Sequence, residues 1–175
     1  METNTKELVK ASLFLALGLI LPYIFHFTGM PGNVFLPMHI PVLLCGLILG
    51  ERYGLLIGFI TPLINSVITG MPPIYPVAVA MAFELAAYGW LSGYLFKRKK
   101  SNVYIALILA MIFGRLISGI ANYVLMGFVG KSFVLKLFMI SAFVKPLWGI
   151  LIQIIIIPFV VKAIERNSKA VSLNG

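Results

Sequence analysis

The sequence predicts an all-α membrane protein, a compact bundle of six transmembrane helices that forms a single integral-membrane domain over residues 1–175. The first reason is composition, because 61% of the residues are hydrophobic and only 11% are charged. Soluble domains are roughly 45–50% apolar and about 25% charged. The second reason is pattern. The apolar runs are continuous, as in "GILIQIIIIPFVV", whereas the strands of a membrane barrel alternate apolar and polar residues.

The apolar runs approach the length of about 20 residues that a spanning helix needs. Segments rich in glycine and proline separate them, such as "FTGMPGN" (27–33) and "GMPPIYP" (70–76), and "GERYG" (50–54) is predicted to be a tight charged turn. No small-residue cleavage site follows the first run, so we expect a retained helix and not a signal peptide. The predicted spans are approximately residues 6–27, 35–50, 55–69, 77–96, 103–129 and 138–163.

Lysine and arginine residues at the ends of these spans and between them are distributed unevenly between the two sides of the membrane. Only Lys131 and Lys136 fall on one side. The other side carries ten: Lys6, Lys10, Arg52, Lys97, Arg98, Lys99, Lys100, Lys162, Arg166 and Lys169. Because cytoplasmic loops are enriched in basic residues, both termini are predicted to be cytoplasmic. The net charge of +9 therefore reflects membrane orientation, and no nucleic-acid partner is expected.

Three charged residues fall inside the predicted spans, away from their ends. Glu84 is the acid, and Arg115 and Lys145 are the bases. A charge inside the bilayer costs at least about 2.5–3.5 kcal/mol and usually marks a functional pathway or a pair. With a rise of about 1.5 Å per residue, Glu84, Asn122 and Lys145 lie at a similar depth below the outer face, with Arg115 deeper. Two interpretations stay open: Glu84 and Lys145 pair and join two helices, or the three charges line a ligand cavity.

Sequence motifs for catalysis or metal binding are not found. The chain has no phosphate loop of the G-x-x-x-x-G-K-[ST] type, no H-E-x-x-H and no Ser/His/Asp arrangement. We therefore expect no enzyme, no cofactor and no metal, and any energy for transport would come from a partner or an ion gradient. The candidate substrate-binding residues are Glu84, Lys145, Asn122, Asn65, Arg115, His39, Tyr88 and Trp148.

One segment carries a family resemblance. The stretch "FLPMHIPVLLCGLILGERYGLLIGFITPLINSVITGMPPIYPVAVAMAFELAAYG" (35–89), together with the chain length and the six short helices, resembles S components of energy-coupling-factor (ECF) vitamin transporters. The resemblance implies a subunit in the plasma membrane of a prokaryote that captures a water-soluble vitamin from outside. It also implies partners, a transmembrane scaffold (T) subunit and two ATPase subunits. The implied lid is the loop 27–33.

The resemblance also implies a docking motif for the scaffold on the first helix. Members of the family use small residues four apart, typically Ala-x-x-x-Ala, and this chain offers Ser12 and Ala16 at that spacing with Ala11 beside them. Small residues allow two helix backbones to approach closely. The match is imperfect, because Leu15 stands where a second alanine is expected.

The substrate and two rival functions stay open at this stage. An aromatic heterocycle, such as a pyridoxine-type or a benzimidazole- or riboside-type compound, is slightly favoured, and pantothenate is next. A stand-alone secondary transporter that works as a dimer is the main alternative, although the two halves of the chain show little similarity. A small membrane enzyme is disfavoured because no catalytic set is found.

Overall fold

The computed structural model describes residues 5–130 and 132–173, with side chains described as far as residue 166. Lys131, which was assigned to the outer side, lies outside the described residues. The regular structure in these ranges is helical. The helices are α1 Thr5–Phe27, α2 Gly32–Phe35, α3 His39–Leu49, α4 Glu51–Thr69, α5 Val79–Gly93, α6 Val103–Phe128, α7 Leu135–Met139 and α8 Leu147–Leu173.

Short π-helical turns extend two of these helices. They flank α5 at Ile74–Ala78 and Tyr94–Arg98, and they follow α7 at Ile140–Val144. Taken with these turns, six helical segments of the described chain are long and apolar enough to cross a membrane. The prediction of six spanning helices is therefore confirmed. The segments are Thr5–Phe27, Gly32–Leu49, Glu51–Thr69, Ile74–Arg98, Val103–Phe128 and Leu147–Arg166.

Three boundaries differ from the sequence prediction. The segment 50–54 is not a turn, because Gly50 alone makes the change of direction at φ 100° and α4 starts at Glu51. The second span is interrupted at Leu36, which adopts a left-handed conformation at φ 51° after α2. The predicted sixth span, 138–163, is wrong at its start, since the chain breaks at Pro146 and α8 begins one residue later. Proline has no N–H to continue the helical hydrogen bonds.

Glycine residues bring α4 and α5 into close contact. A Cβ atom on Gly54 would collide with the backbone of Gly89, and one on Gly58 would collide with the carbonyl of Leu85. Small residues of this kind permit the van der Waals packing that holds helices together in lipid. Helix α3 packs against the same pair, and its residues Val42 and Leu43 are fully buried. The centre of the bundle is therefore α3, α4 and α5.

The remaining helices surround this centre. Helix α1 contacts α3 and α4, α6 contacts α5, and α8 contacts α2, α3 and α6. Gly149 near the start of α8 lies so close to the carbonyl groups of Val34 and Phe35 that no side chain would fit there. This contact fixes α8 beside the break between α2 and α3. The structure thereby brings α3, α5, α6 and α8 around one polar cluster.

Candidate ligand site

A buried carboxylate forms the centre of the polar cluster. Glu84 is 3% exposed, and its Oε1 accepts hydrogen bonds from Arg115 Nη1 at 2.5 Å and from the Tyr88 hydroxyl at 3.0 Å. His39 Nε2 lies 3.7 Å from the same oxygen. Tyr88 follows Glu84 by one helical turn, so the two side chains lie on the same face of α5. Three helices therefore contribute to one cluster.

The backbone places each member of the cluster. His39 is the first residue of α3, directly after the break in the second span, and its ring centroid lies 5.5 Å from that of Tyr88. On α6, a Cβ atom at Gly114 would overlap the Tyr88 ring. Glycine at this position therefore lets α6 approach α5, and the neighbouring Arg115 can reach Glu84.

The ion pair between Glu84 and Arg115 is buried. Arg115 is 8% exposed and Glu84 is 3% exposed. Removing one partner from such a pair costs about 3–5 kcal/mol, because the other charge stays buried without compensation. The pair therefore holds α5 and α6 together, and it also places a guanidinium group at the wall of a cavity.

The cavity has a volume of about 190 Å³ and lies between α5, α6 and α8. Its polar lining comes from Tyr88, Arg115 and Gln153, and the other lining residues are apolar: Leu36, Ile108, Met111, Ile112, Phe143, Ile150 and Ile154. A mostly apolar cavity with a few convergent polar groups is the usual form of a small-molecule site. The ion pair and the cavity therefore form one candidate site.

Several polar atoms at this site have no partner. Gln153 is 1% exposed, and its Nε2 has no hydrogen-bond partner among the described residues. The same holds for both ring nitrogens of His39. Buried polar atoms are nearly always hydrogen-bonded, so each exception needs an explanation. For Gln153, the adjoining cavity supplies one: a bound ligand would accept the hydrogen bond.

Four of the eight predicted site residues come together and four do not. Glu84, Arg115, His39 and Tyr88 form the cluster. Lys145 is exposed at the protein surface, and in the described chain the ion-pair partner of Glu84 is Arg115, with His39 Nε2 3.7 Å away. The predicted pairing of Glu84 with Lys145 is therefore wrong, and Lys145 does not line the cavity. Trp148 is 64% exposed and does not line the cavity.

Asn65 and Asn122 lie outside the cluster. Asn65 is buried on α4 beside Ser66, whose hydroxyl donates to the carbonyl of Pro72 at 2.5 Å. Asn122 is half-buried, and its amide donates to the carbonyl of Ser118 in its own helix at 2.8 Å. Neither asparagine lines the cavity, so neither has the position that the sequence analysis predicts.

Gln153 is absent from the residues predicted to bind substrate. It is the lone amide in the run "GILIQIIIIPFVV". An isolated polar residue in an apolar span is the sequence feature that could have identified it as a candidate. Its position at the cavity depends on the rotation of α8. Sequence spacing alone does not define that rotation.

The three predicted docking residues of α1 have different environments. Ala11 is 3% exposed and packs in the core, so its assignment to a docking surface is wrong. Ser12 is exposed and Ala16 is half-buried, and the Ser12 hydroxyl donates to the carbonyl of Val9 at 2.9 Å. The side chains of Leu13 and Ile20 on the outer face are 58% and 52% exposed.

Comparison with known protein families gives one result. Residues 6–163 match the family described as "ECF transporter, substrate-specific component". The match covers the whole of the polar cluster and all six spanning segments apart from Thr5 and residues 164–166. Comparison with curated proteins gave no match, and neither did comparison with solved structures.

Proposed function

The chain belongs to the substrate-specific components of ECF transporters, and from this membership we propose that it binds a water-soluble vitamin or cofactor precursor with high affinity for import. It is a multi-pass membrane protein and a transporter component, not an enzyme. The proposal places it in the plasma membrane of a prokaryote, as one integral-membrane domain with both termini in the cytoplasm. The excess of basic residues on one side supports this orientation.

The observation that carries the proposal is the polar cluster beside the cavity. Glu84, Arg115 and Tyr88 are buried and bonded to one another, and the cavity of about 190 Å³ is open to two of them. An intramembrane charge that only joins helices needs no adjoining space. The cavity and the unpartnered amide of Gln153 favour ligand binding at the same place.

The partners in the proposal are a transmembrane scaffold subunit and two ATPase subunits. The chain lacks a phosphate loop, so ATP hydrolysis would belong to separate chains. We place the docking surface on the outer face of α1, where Ser12 and Ala16 are the small residues. This face is apolar, and its neighbour Val9 is 62% exposed.

Copurification tests the proposal directly. The tagged full chain, expressed in its own host and solubilised in mild detergent, should copurify with two ATPase subunits and a scaffold subunit, and it should release a small molecule on denaturation. The alternative is a stand-alone secondary transporter. Proton- or sodium-dependent uptake by proteoliposomes that contain this chain alone would favour that alternative.

A further inference from the structure

We infer that the site selects a compact ligand without net charge, which offers hydrogen-bond acceptors to Gln153 and Arg115. The inference rests on the proposed function and specifies its substrate class. Three properties of the site carry it: the balance of charge, the kind of polar atom that is free, and the size of the cavity.

The charges at the site cancel. Glu84 and Arg115 neutralise each other through the contact at 2.5 Å. His39 is 2% exposed and does not line the cavity. Lys145, the cation that sequence spacing places in this layer, is exposed at the surface and does not line the cavity. Among the described residues that line the cavity, no unbalanced charge is left to pair with an ionic ligand.

An anionic ligand would disrupt this balance. A carboxylate or phosphate could reach Arg115 only by competing with Glu84, and it would then lie close to a second negative charge in a buried site. Like charges at such a distance strongly disfavour each other. A cationic ligand would compete with Arg115 for Glu84 in the same way. The ion pair therefore acts against both classes of charged ligand.

The free polar atoms at the cavity are donors. Gln153 Nε2 carries N–H groups with no partner among the described residues. The Arg115 guanidinium carries several N–H donors in a planar fork, and its contact with Glu84 in the structure uses Nη1. The Glu84 oxygen at the site already accepts from Arg115 and Tyr88. A complementary ligand therefore offers acceptors, such as ring nitrogens or carbonyl oxygens.

The volume favours a small ring system as the ligand. Small-molecule sites span roughly 300–1,000 Å³, and this cavity has about 190 Å³. Its apolar lining includes Ile108 and Ile112 on α6 and Ile150 and Ile154 on α8. Such a lining suits the faces of a flat ring. Within the substrates considered from sequence, this favours the uncharged heterocycles over pantothenate.

The experiment identifies what the protein carries. The full chain, its Gln153→Leu variant and the control Ile155→Leu are purified in detergent, and the small molecules released on denaturation are identified by mass spectrometry. Ile155 is 70% exposed on the same helix. We expect an uncharged ring compound with acceptor atoms from the parent chain and the control, and at least tenfold less of it from Gln153→Leu. We expect no thermal shift when pantothenate is titrated into the parent chain.

A stability measurement separates binding from packing. Leucine fills a similar volume and removes an unpartnered buried amide, so Gln153→Leu should unfold at the temperature of the unloaded parent chain or above it. Unfolding of Gln153→Leu well below that temperature would show that Gln153 serves packing, and it would overturn the proposed role of Gln153 in ligand binding. Release of a carboxylate, phosphate or permanent cation, or micromolar binding of pantothenate, would overturn the charge inference alone. A chain that carries no compound and copurifies with no ATPase contradicts the proposed function, and the inference falls with it.

Discussion

Arg115 Nη1 donates to Glu84 Oε1 at 2.5 Å, across the contact between α6 and α5. This ion pair explains why an apolar chain retains a carboxylate in the middle of a membrane span. Each charge offsets the energetic cost of burying the other, and the guanidinium group of Arg115 also lines a cavity. The pair thus links α5 to α6, and its arginine lines the candidate site. Mutation of the pair should therefore change both the stability of the protein and its binding of ligand.

Replacing Glu84 by glutamine should destabilise the protein and weaken ligand binding together. The amide keeps the volume but leaves Arg115 buried without a countercharge, for which we expect a loss of about 3–5 kcal/mol. Thermal unfolding in detergent and ligand release measure the two effects. Arg98→Gln is the control, because Arg98 pairs with Glu51 at 3.2 Å but its side chain is 69% exposed, and an exposed pair contributes about 0–1 kcal/mol.

Removing both charges should separate stability from binding. In the double variant Glu84→Gln, Arg115→Met no uncompensated charge is left, and replacing a buried pair by uncharged side chains is often neutral or stabilising. We expect the double variant to recover most of the stability that Glu84→Gln loses, while ligand release stays at least tenfold reduced. Recovery of binding as well would show that the pair acts through stability alone.

Gly89→Ala should destabilise the bundle strongly. The new Cβ atom would collide with the backbone of Gly54, in α4, and overpacking costs about 1–3 kcal/mol or more when backbone must move. The matched control is Gly127→Ala in α6, where nothing lies within 4 Å of the added atom. Alanine should be neutral or slightly favourable there. Equal melting temperatures for the two variants would contradict the close packing of α4 and α5.

The number and approximate positions of the spans could be predicted, because hydrophobic length is a property of each segment alone. The break at Pro146 was the main error. The depth estimate for Lys145 assumes one continuous helix from residue 138, whereas α8 begins only at Leu147. The residues Glu84 and Arg115 were found because a charge in an apolar run is conspicuous.

The pairing of those charges was beyond the sequence prediction. Counting the helical rise places Arg115 deeper than Glu84, but it ignores the reach of a long side chain and the approach of α6 that Gly114 permits. The role of Gln153 was missed for a related reason. A polar residue in a span gives a signal, but whether it faces lipid, packing or a cavity depends on helix rotation, which only the assembled bundle defines.

Ala16→Leu should leave ligand binding intact and reduce uptake. Ala16 is half-buried at the edge of the exposed face of α1, so a larger side chain there would obstruct a partner helix without entering the core. The same substitution at Ala163, an exposed residue of α8, is the control. Uptake of labelled substrate by cells and copurification of the ATPases are the readouts, and we expect at least a fivefold loss in both. Unimpaired uptake by the Ala16 variant would move the docking surface away from this part of α1.

Introduced single cysteines can test the proposed orientation, because the natural cysteine should not react with a labelling reagent. Cys45 is fully buried and is the single cysteine of the chain, so the parent protein should not react with a membrane-impermeant maleimide. Thr28→Cys lies after α1 in an exposed loop, and Ser101→Cys lies beside the basic run that ends at Lys100. With both termini in the cytoplasm, intact cells should label Thr28→Cys, whereas Ser101→Cys should react only after permeabilisation. The opposite labelling pattern would show that the orientation is inverted, with the basic loops outside the cell, against the positive-inside rule.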